Sequence, residues 1–336
     1  IQFRKAEAIV GRMTVVDASV IAGANVDIEV TEGLISSVTP AGVTEPQGKI
    51  LKADGRLVVP GFVNAHLHLD KALTVGEDTP WVEGTFQESV DMTLTARESY
   101  TREGIIERAE EVLGESIKYG TTAMRAFADV GTVGGLLALE TLCEIRDAWS
   151  SFIDIQVAAF PQEGFLRDPG ADRLVAKAMD HGADVVGVFP WFELSNEFAR
   201  RHIQMAFEIA LAHDADIHAF VDDEPLAPNT RDLIQLAEET IDRGWEGRVT
   251  ASHACGLSSY DDHLAERTMR LVADAGISIV SNTHLSLVAK CQHAPEPRPR
   301  GITRVVELMK HGVNVATAQD DVADPYYPFG RGAMLE

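Results

Sequence analysis

Two hydrophobic periods alternate along most of the chain. Stretches in which apolar residues return every three or four positions, as on a helix with one buried face, are each followed by a short run that is apolar almost throughout. EGIIERAEEVLGESIKYG precedes TTAMRAFADV, DRLVAKAMDHG precedes ADVVGVFP, and TRDLIQLAEETIDRG precedes WEGRVTASH. LAERTMRLVADAG precedes ISIVSNTH, and ITRVVELMKHG precedes VNVATAQDD. The unit recurs at roughly 30-residue spacing, often with a glycine where the helix ends. LVVPGFVNAHLH, FIDIQVAAFPQ and ADIHAF raise the strand candidates to eight. Strands alternating with helices imply a parallel sheet, and eight of them predict a closed (β/α)8 TIM barrel. An open doubly wound sheet is the alternative, but the glycine-rich phosphate turn it would carry after an early strand is missing from this sequence.

Ahead of the barrel, MTVVDASVI, NVDIEVTEGLISSV and GKILKADGRLVVPG are short β pieces rich in Val and Ile and broken by Gly, Asn and Asp. They predict a small, partial β-sandwich domain over residues 1–57, with the barrel over 58–336. The β segment has too few strands to close a core, and no helix follows the eighth strand. A further C-terminal segment is therefore expected to supply both, and the start at Ile1 rather than Met suggests missing residues there too. The connection from Lys71 to Tyr100 is long, carries Trp81 and Phe86, and is expected to be a lid.

Composition narrows the chemistry. The net charge of −23, from 29 basic and 52 acidic residues, repels phosphate backbones and argues against nucleic acid. It also disfavours anionic substrates unless a site is locally basic. No apolar run reaches 18 residues, so a membrane partner is not expected. Cys143, Cys255 and Cys291 form no C-x-x-C pair, which fits a reducing cytoplasm and disfavours a thiolate metal site. A homo-oligomer is compatible with this composition but not dictated by it.

The histidines sort by position. His181, His213 and His311 end helices, where a cation suits the dipole. His202 and His263 fall in helical stretches and are expected on the surface, and His293 lies in a Pro-rich loop. His66, His68, His218, His253 and His284 instead fall at predicted strand ends, with Asp320 and Asp321 ending the eighth strand. In a (β/α)8 barrel those ends share one mouth, where active sites form. The HLH pair adds a geometric point, since residues i and i+2 of a strand face the same way. Imidazoles and carboxylates together suit Zn²⁺ or Fe²⁺.

PGFVNAHLHLDKAL, AAFPQEGF, RVTASHACGLSSY, RGITRVVELMKHGVNV and QDDVADPYYPFG, in this order, resemble the amidohydrolase superfamily. The resemblance runs from about residue 10 to the end and is nearest the cytosine deaminase branch, with the N-alkylammelide amidohydrolases as relatives. It implies one divalent metal ion, Zn²⁺ or Fe²⁺, held by His66, His68, His218 and Asp320. It implies that His253 stabilises the intermediate, that Gln162 bonds the ring edge of the substrate, and that Tyr326 stacks on it beside Asp321. It implies removal of ammonia or an amine from a nitrogen heterocycle by attack of a metal-bound hydroxide, with Asp320 moving the proton. Action on an N-substituted triazine or a cyclic amide is the alternative within the class. Binuclear relatives carry a lysine after the fourth strand; ADVVGVFPWFE has none. A catalytically inert scaffold, the third reading, conflicts with this ligand set.

Two features depart from the branch. Its fifth strand ends in H-x-x-E, where the Glu shuttles a proton, yet the third residue after His218 is Val221. Asp222 is the favoured substitute in HAFVDDEP, ahead of Asp223 and Glu224. The spacing from His218 to His253 also looks about three residues too long. The second departure is Gln319, where the deaminases carry a His before the metal Asp.

Overall fold

The computed structural model describes residues 11–76, 81, 86–224, 231–291, 294–296 and 299–335, the side chains of 86 and 87 excepted. They form two compact units that divide between Phe62 and Val63. In the first unit, β1 (Arg12–Ser19), β2 (Asn25–Thr31), β3 (Leu34–Pro40) and β4 (Lys49–Lys52) form one sheet in the order β3-β2-β1-β4. The strands β1, β2 and β3 pair antiparallel, and β4 lies parallel to β1. Its small core is Ala18, Ile28 and Ala53 with the valines around them. The second layer expected of a sandwich is not found among the described residues.

The second unit is the barrel. Its strands are β5 (Phe62–Leu67), β6 (Thr121–Asp129), β7 (Asp154–Phe160), β8 (Val185–Val188), β9 (Asp216–Val221), β10 (Val249–His253), β11 (Ser278–Ser281) and β12 (Val315–Thr317). They are neighbours in chain order. A parallel bridge between Leu67 and Asp320 brings the first and eighth strands together. His68 N donates to Asp320 O at 2.8 Å and Asp320 N to His66 O at 2.9 Å. Main-chain bonds that close the ring thus run through three residues expected in the site.

The helices are α1 (Phe86–Arg97), α2 (Arg102–Lys118), α3 (Leu137–Trp149), α4 (Ala171–Asp180), α5 (Asn196–His213), α6 (Asp232–Arg243), α7 (Asp262–Asp274), α8 (Thr283–Ala289) and α9 (Val305–Lys310). Their starts follow local chemistry: the side chains of Thr101, Ser195 and Asp261 cap α2, α5 and α7. Apolar faces of the helices meet the outer face of the sheet, where Leu139, Val157, Val186, Phe207 and Ile217 are buried. Part of the connection expected to be a lid is α1, whose Val90 packs with Phe127, Phe160 and Phe220. Residues 77–80 and 82–85 of that connection, Phe86's side chain and His293 lie outside the described residues.

Gly187 shows how closely two strands approach. A Cβ there would lie 2.5 Å from Ala159 O and 2.8 Å from Phe160 Cα, both backbone atoms that cannot swing aside. Gly187→Ala is expected to destabilise the barrel by about 1–3 kcal/mol, measurable by urea unfolding. An unchanged midpoint would show that β7 and β8 can separate freely.

Candidate active site

Asp320 is the hub of the barrel mouth. It follows β12 with a φ of 73°, a conformation that turns its carboxylate inward. Its Oδ1 lies 2.8 Å from His66 Nε2 and 3.7 Å from His68 Nε2, and its Oδ2 lies 3.7 Å from His253 Nε2. Donors of His66, His253 and Asp320 fall within 4.8 Å of one another, as do those of His68, Asp320 and Asp321. All five residues are buried. Burial lowers His66 to about 4 and takes His68 well below its ordinary value, so both imidazoles keep a lone pair at neutral pH. Burial works against the charge of Asp320, but His66 and His253 beside it hold it down to about 2.

One contact tests whether a cation fits. Nε2 of His66 is buried and makes no hydrogen bond, although Asp320 Oδ1 is 2.8 Å away. A buried imidazole nitrogen without a hydrogen bond, set beside a carboxylate oxygen, is a pairing that a cation would satisfy. Neutral imidazoles and an ionised carboxylate are the donors that zinc and iron take. The residues fit a divalent ion.

The cavity above them, open on one side, holds about 370 Å³ of empty space including open solvent, and is lined by His68, Lys71, Gln162, Asp223, His253, Lys290, Asp320, Asp321 and Tyr326, with Phe189 and Phe220 as apolar wall. Lys290 Nζ lies 2.7 Å from Asp223 Oδ2, and Asp223 Oδ1 lies 3.0 Å from His253 Nδ1. Burial opposes ionisation of Asp223, yet His253 and Lys290 hold it well below the usual carboxylate range. Asp321 is pushed the other way, first by burial and then by the charges of Asp324 and Asp320. Opposite shifts in two carboxylates that line one cavity give one acceptor and one group that tends to keep a proton.

The structure brings His66, His68, His253, Asp320, Asp321, Gln162 and Tyr326 to one place and leaves His218 out. His218 lies in mid-strand, paired with Thr250, while Phe220 is paired with Ser252 nearer the tip. Its Nε2 is 2.5 Å from Ser252 Oγ, and its Nδ1 takes a hydrogen bond from Arg125 Nη1 at 3.0 Å. Ser252 Oγ is in turn 2.7 Å from His66 Nδ1. His218 thus supports His66 from one layer below, and belongs to none of the candidate ion-holding groups among the described residues. The expectation that it ligates the ion is corrected: β9 runs past His218, so the inward residue at the rim is Phe220. The phenyl ring lies 4.3 Å from the His66 ring.

The same shift corrects the acidic residue. Counted from Phe220, the third position is Asp223, which lines the cavity. Asp222 instead accepts from Asp232 N and from Tyr260 Oη, each at 2.9 Å, and so ties the loop to α6. Two other positions differ from expectation. His284 is in the first turn of α8 rather than on a strand. His202 is buried, with Nδ1 2.8 Å from Glu193 Oε1, because α5 turns it toward the loop after β8.

Lys71, Lys290 and Phe220 are wall residues that the sequence reading does not single out, and Asp223 is one it ranks behind Asp222. The apolar FV after HA, together with the overlong spacing to His253, was the available sign that the strand continues. A lone Lys in LDKAL and another in LVAKCQH carry no such sign.

The family model described as Amidohydrolase family matches residues 82–336. The chain belongs to the amidohydrolase family. This amidohydrolase is 31% identical over 291 residues to the N-isopropylammelide isopropyl amidohydrolase of Pseudomonas sp. (strain ADP), covering 85% of this chain and 68% of that one. It is 32% identical over 309 residues to the pterin deaminase of Rhizobium rhizogenes, covering 90% and 69%. Its fold matches the crystal structure of 5-methylcytosine deaminase from Klebsiella pneumoniae liganded with 5-fluorocytosine. That match has a TM-score of 0.91 and 33% identity, over 96% of this chain and 78% of that one. The family is metal-dependent, and no helix among the described residues is long and apolar enough to cross a membrane.

Proposed function

We propose that this amidohydrolase removes ammonia or an amine from a small nitrogen heterocycle, using one divalent ion, Zn²⁺ or Fe²⁺, held by His66, His68, His253 and Asp320. The observation that carries the reading is the convergence of three imidazoles on the Asp320 carboxylate in one buried cavity. The relatives named for pterin, methylcytosine and isopropylammelide give the substrate class. When bound, such an ion lowers the pKa of its water from 15.7 to roughly 7 and polarises the bond under attack.

The chain's own residues do the rest. Asp320, ionised at neutral pH, accepts the proton of the attacking water and returns it to the leaving nitrogen. Asp223, 3.0 Å from His253 Nδ1, would hold that ring with Nε2 turned toward the ion. Gln162 meets the ring edge, and Tyr326 with Phe189 supplies the apolar wall that keeps water out. We further place the protein in the cytoplasm, without a nucleic-acid partner; three free cysteines and the acidic surface support that.

An ammonia- and amine-release screen over pyrimidines, purines, pterins and triazines, with Zn²⁺, Fe²⁺ or Mn²⁺ added back, tests the reading. Release from at least one ring with about one ion per chain is expected. No release under any metal would end it, and two ions per chain would favour cyclic-amide opening instead.

A further inference from the structure

We infer that Lys71 fixes the side-chain amide of Gln162 so that the cavity reads only hydrogen-bond acceptors on its ligand, selecting oxo-substituted rings over their amino counterparts. This rests on the proposed heterocycle site and names the edge that the site recognises.

Lys71 is 1% exposed, the bulkiest of the fully buried side chains. A lysine so placed is held by what it touches. Its Nζ lies 3.1 Å from Gln162 Oε1, 3.8 Å from Asp321 Oδ1 and 4.6 Å from the centre of the Tyr326 ring. Burial disfavours its charge, but the acidic groups around it, Asp129 foremost, raise it above the ordinary lysine value, and the ammonium stays protonated.

Direction follows from the donor inventory. An ammonium has three N–H donors and no acceptor, whereas an amide has one end of each kind. Only Oε1 of Gln162 can face Lys71. A turned amide would set Nε2 against the ammonium, donor to donor, and leave Oε1 without its partner. Nε2 must then point the opposite way. It has no protein partner among the described residues, and Gln162 lines the cavity. Two N–H donors therefore await the ligand.

The chemical class follows. A carbonyl oxygen, with two lone pairs, satisfies Nε2 best; a ring nitrogen of the amino rings has one lone pair and is flanked by N–H donors. An amino group or a protonated ring nitrogen meets it donor to donor and leaves both desolvated, which sites of this kind reject strongly. Lys71 touches Gln162 and acts through it, so it is a positioning residue.

The test uses the whole Zn²⁺-loaded protein and two probe pairs: cytosine against 2,4-diaminopyrimidine, and pterin against 2,4-diaminopteridine. In the wild type the oxo member of at least one pair should bind on the order of 10²-fold tighter by calorimetry. Lys71→Met, which keeps the length of the side chain, should cut that ratio about tenfold, with KM rather than kcat carrying the change. Gln162→Glu, which turns the donor into an acceptor, should bring the ratio to one or reverse it. Equal binding of oxo and amino rings by the wild type, or an unchanged ratio in both variants, overturns the inference.

A second measurement needs neither turnover nor ligand. The side-chain amide protons of Gln162 should shift in nitrogen-edited NMR spectra on Lys71→Met; an unshifted pair overturns the contact. If no ring is bound or hydrolysed, the proposed function falls and takes the oxo preference with it, while the NMR result still decides how the amide is held.

Discussion

Asp320→Asn will lower kcat by about 10³–10⁴-fold while leaving the barrel folded. Turnover depends on the negative carboxylate on which His66, His68 and His253 converge, and an amide offers no such charge and cannot take the proton from water. The fold survives for two reasons. The bonds that close the ring at this residue are main-chain bonds, at 2.8 and 2.9 Å. Asparagine also tolerates a φ of 73° better than almost any other residue. The pH dependence supplies a check with no substrate in it. In the ion-free protein Asp320 is held at about 2, below an unfolded value near 4. Its charge therefore stabilises the fold above about pH 4, and that contribution is lost as pH falls from there through 2. The Asn variant should unfold less steeply with acid in that window. Turnover within tenfold of the wild type would remove Asp320 from the mechanism.

Asp223→Ala carries the second large effect, on stability and rate together. The carboxylate is the partner of two buried groups, Lys290 at 2.7 Å and His253 at 3.0 Å. Its removal leaves an ammonium without its nearest anion, and breaking a buried pair of this kind costs about 3–5 kcal/mol. His253 also loses the group that orients its ring. Urea unfolding and kcat, each compared with Asp222→Asn, separate the two acids. Asp222→Asn keeps an acceptor for the α6 main chain and for Tyr260, so kcat should stay within about threefold. If Asp222→Asn proves the slower enzyme, the acid has been assigned to the wrong residue.

Much of this was legible before any coordinates. Five helix-then-strand units and three further apolar strand candidates announce a parallel barrel because a strand buried on both faces is apolar throughout and its covering helix has one apolar stripe. His66, His68 and Asp320 follow from the same pattern, since strand ends of a barrel meet on one rim. The reading differs from the structure by two residues: within ADIHAF it places His218 at the rim, whereas β9 runs on through Phe220 to Val221 and Phe220 holds that place. Because side chains alternate with period two, such a slip keeps the face and changes the layer. His218 therefore still points inward, but under the site instead of into it. The same two-residue step carries the third position after the rim residue from Val221 to Asp223, which lines the cavity.

The sequence alone thus determined the barrel, the rim and the kind of chemistry, because periodicity and residue type are local and additive. Tertiary structure alone decided which layer each inward side chain occupies, which of two neighbouring acids faces the cavity, and that Lys71 meets Gln162 across 91 positions of chain. Those contacts depend on where each strand stops and on the stagger between strands, and neither quantity is written in any short stretch of residues.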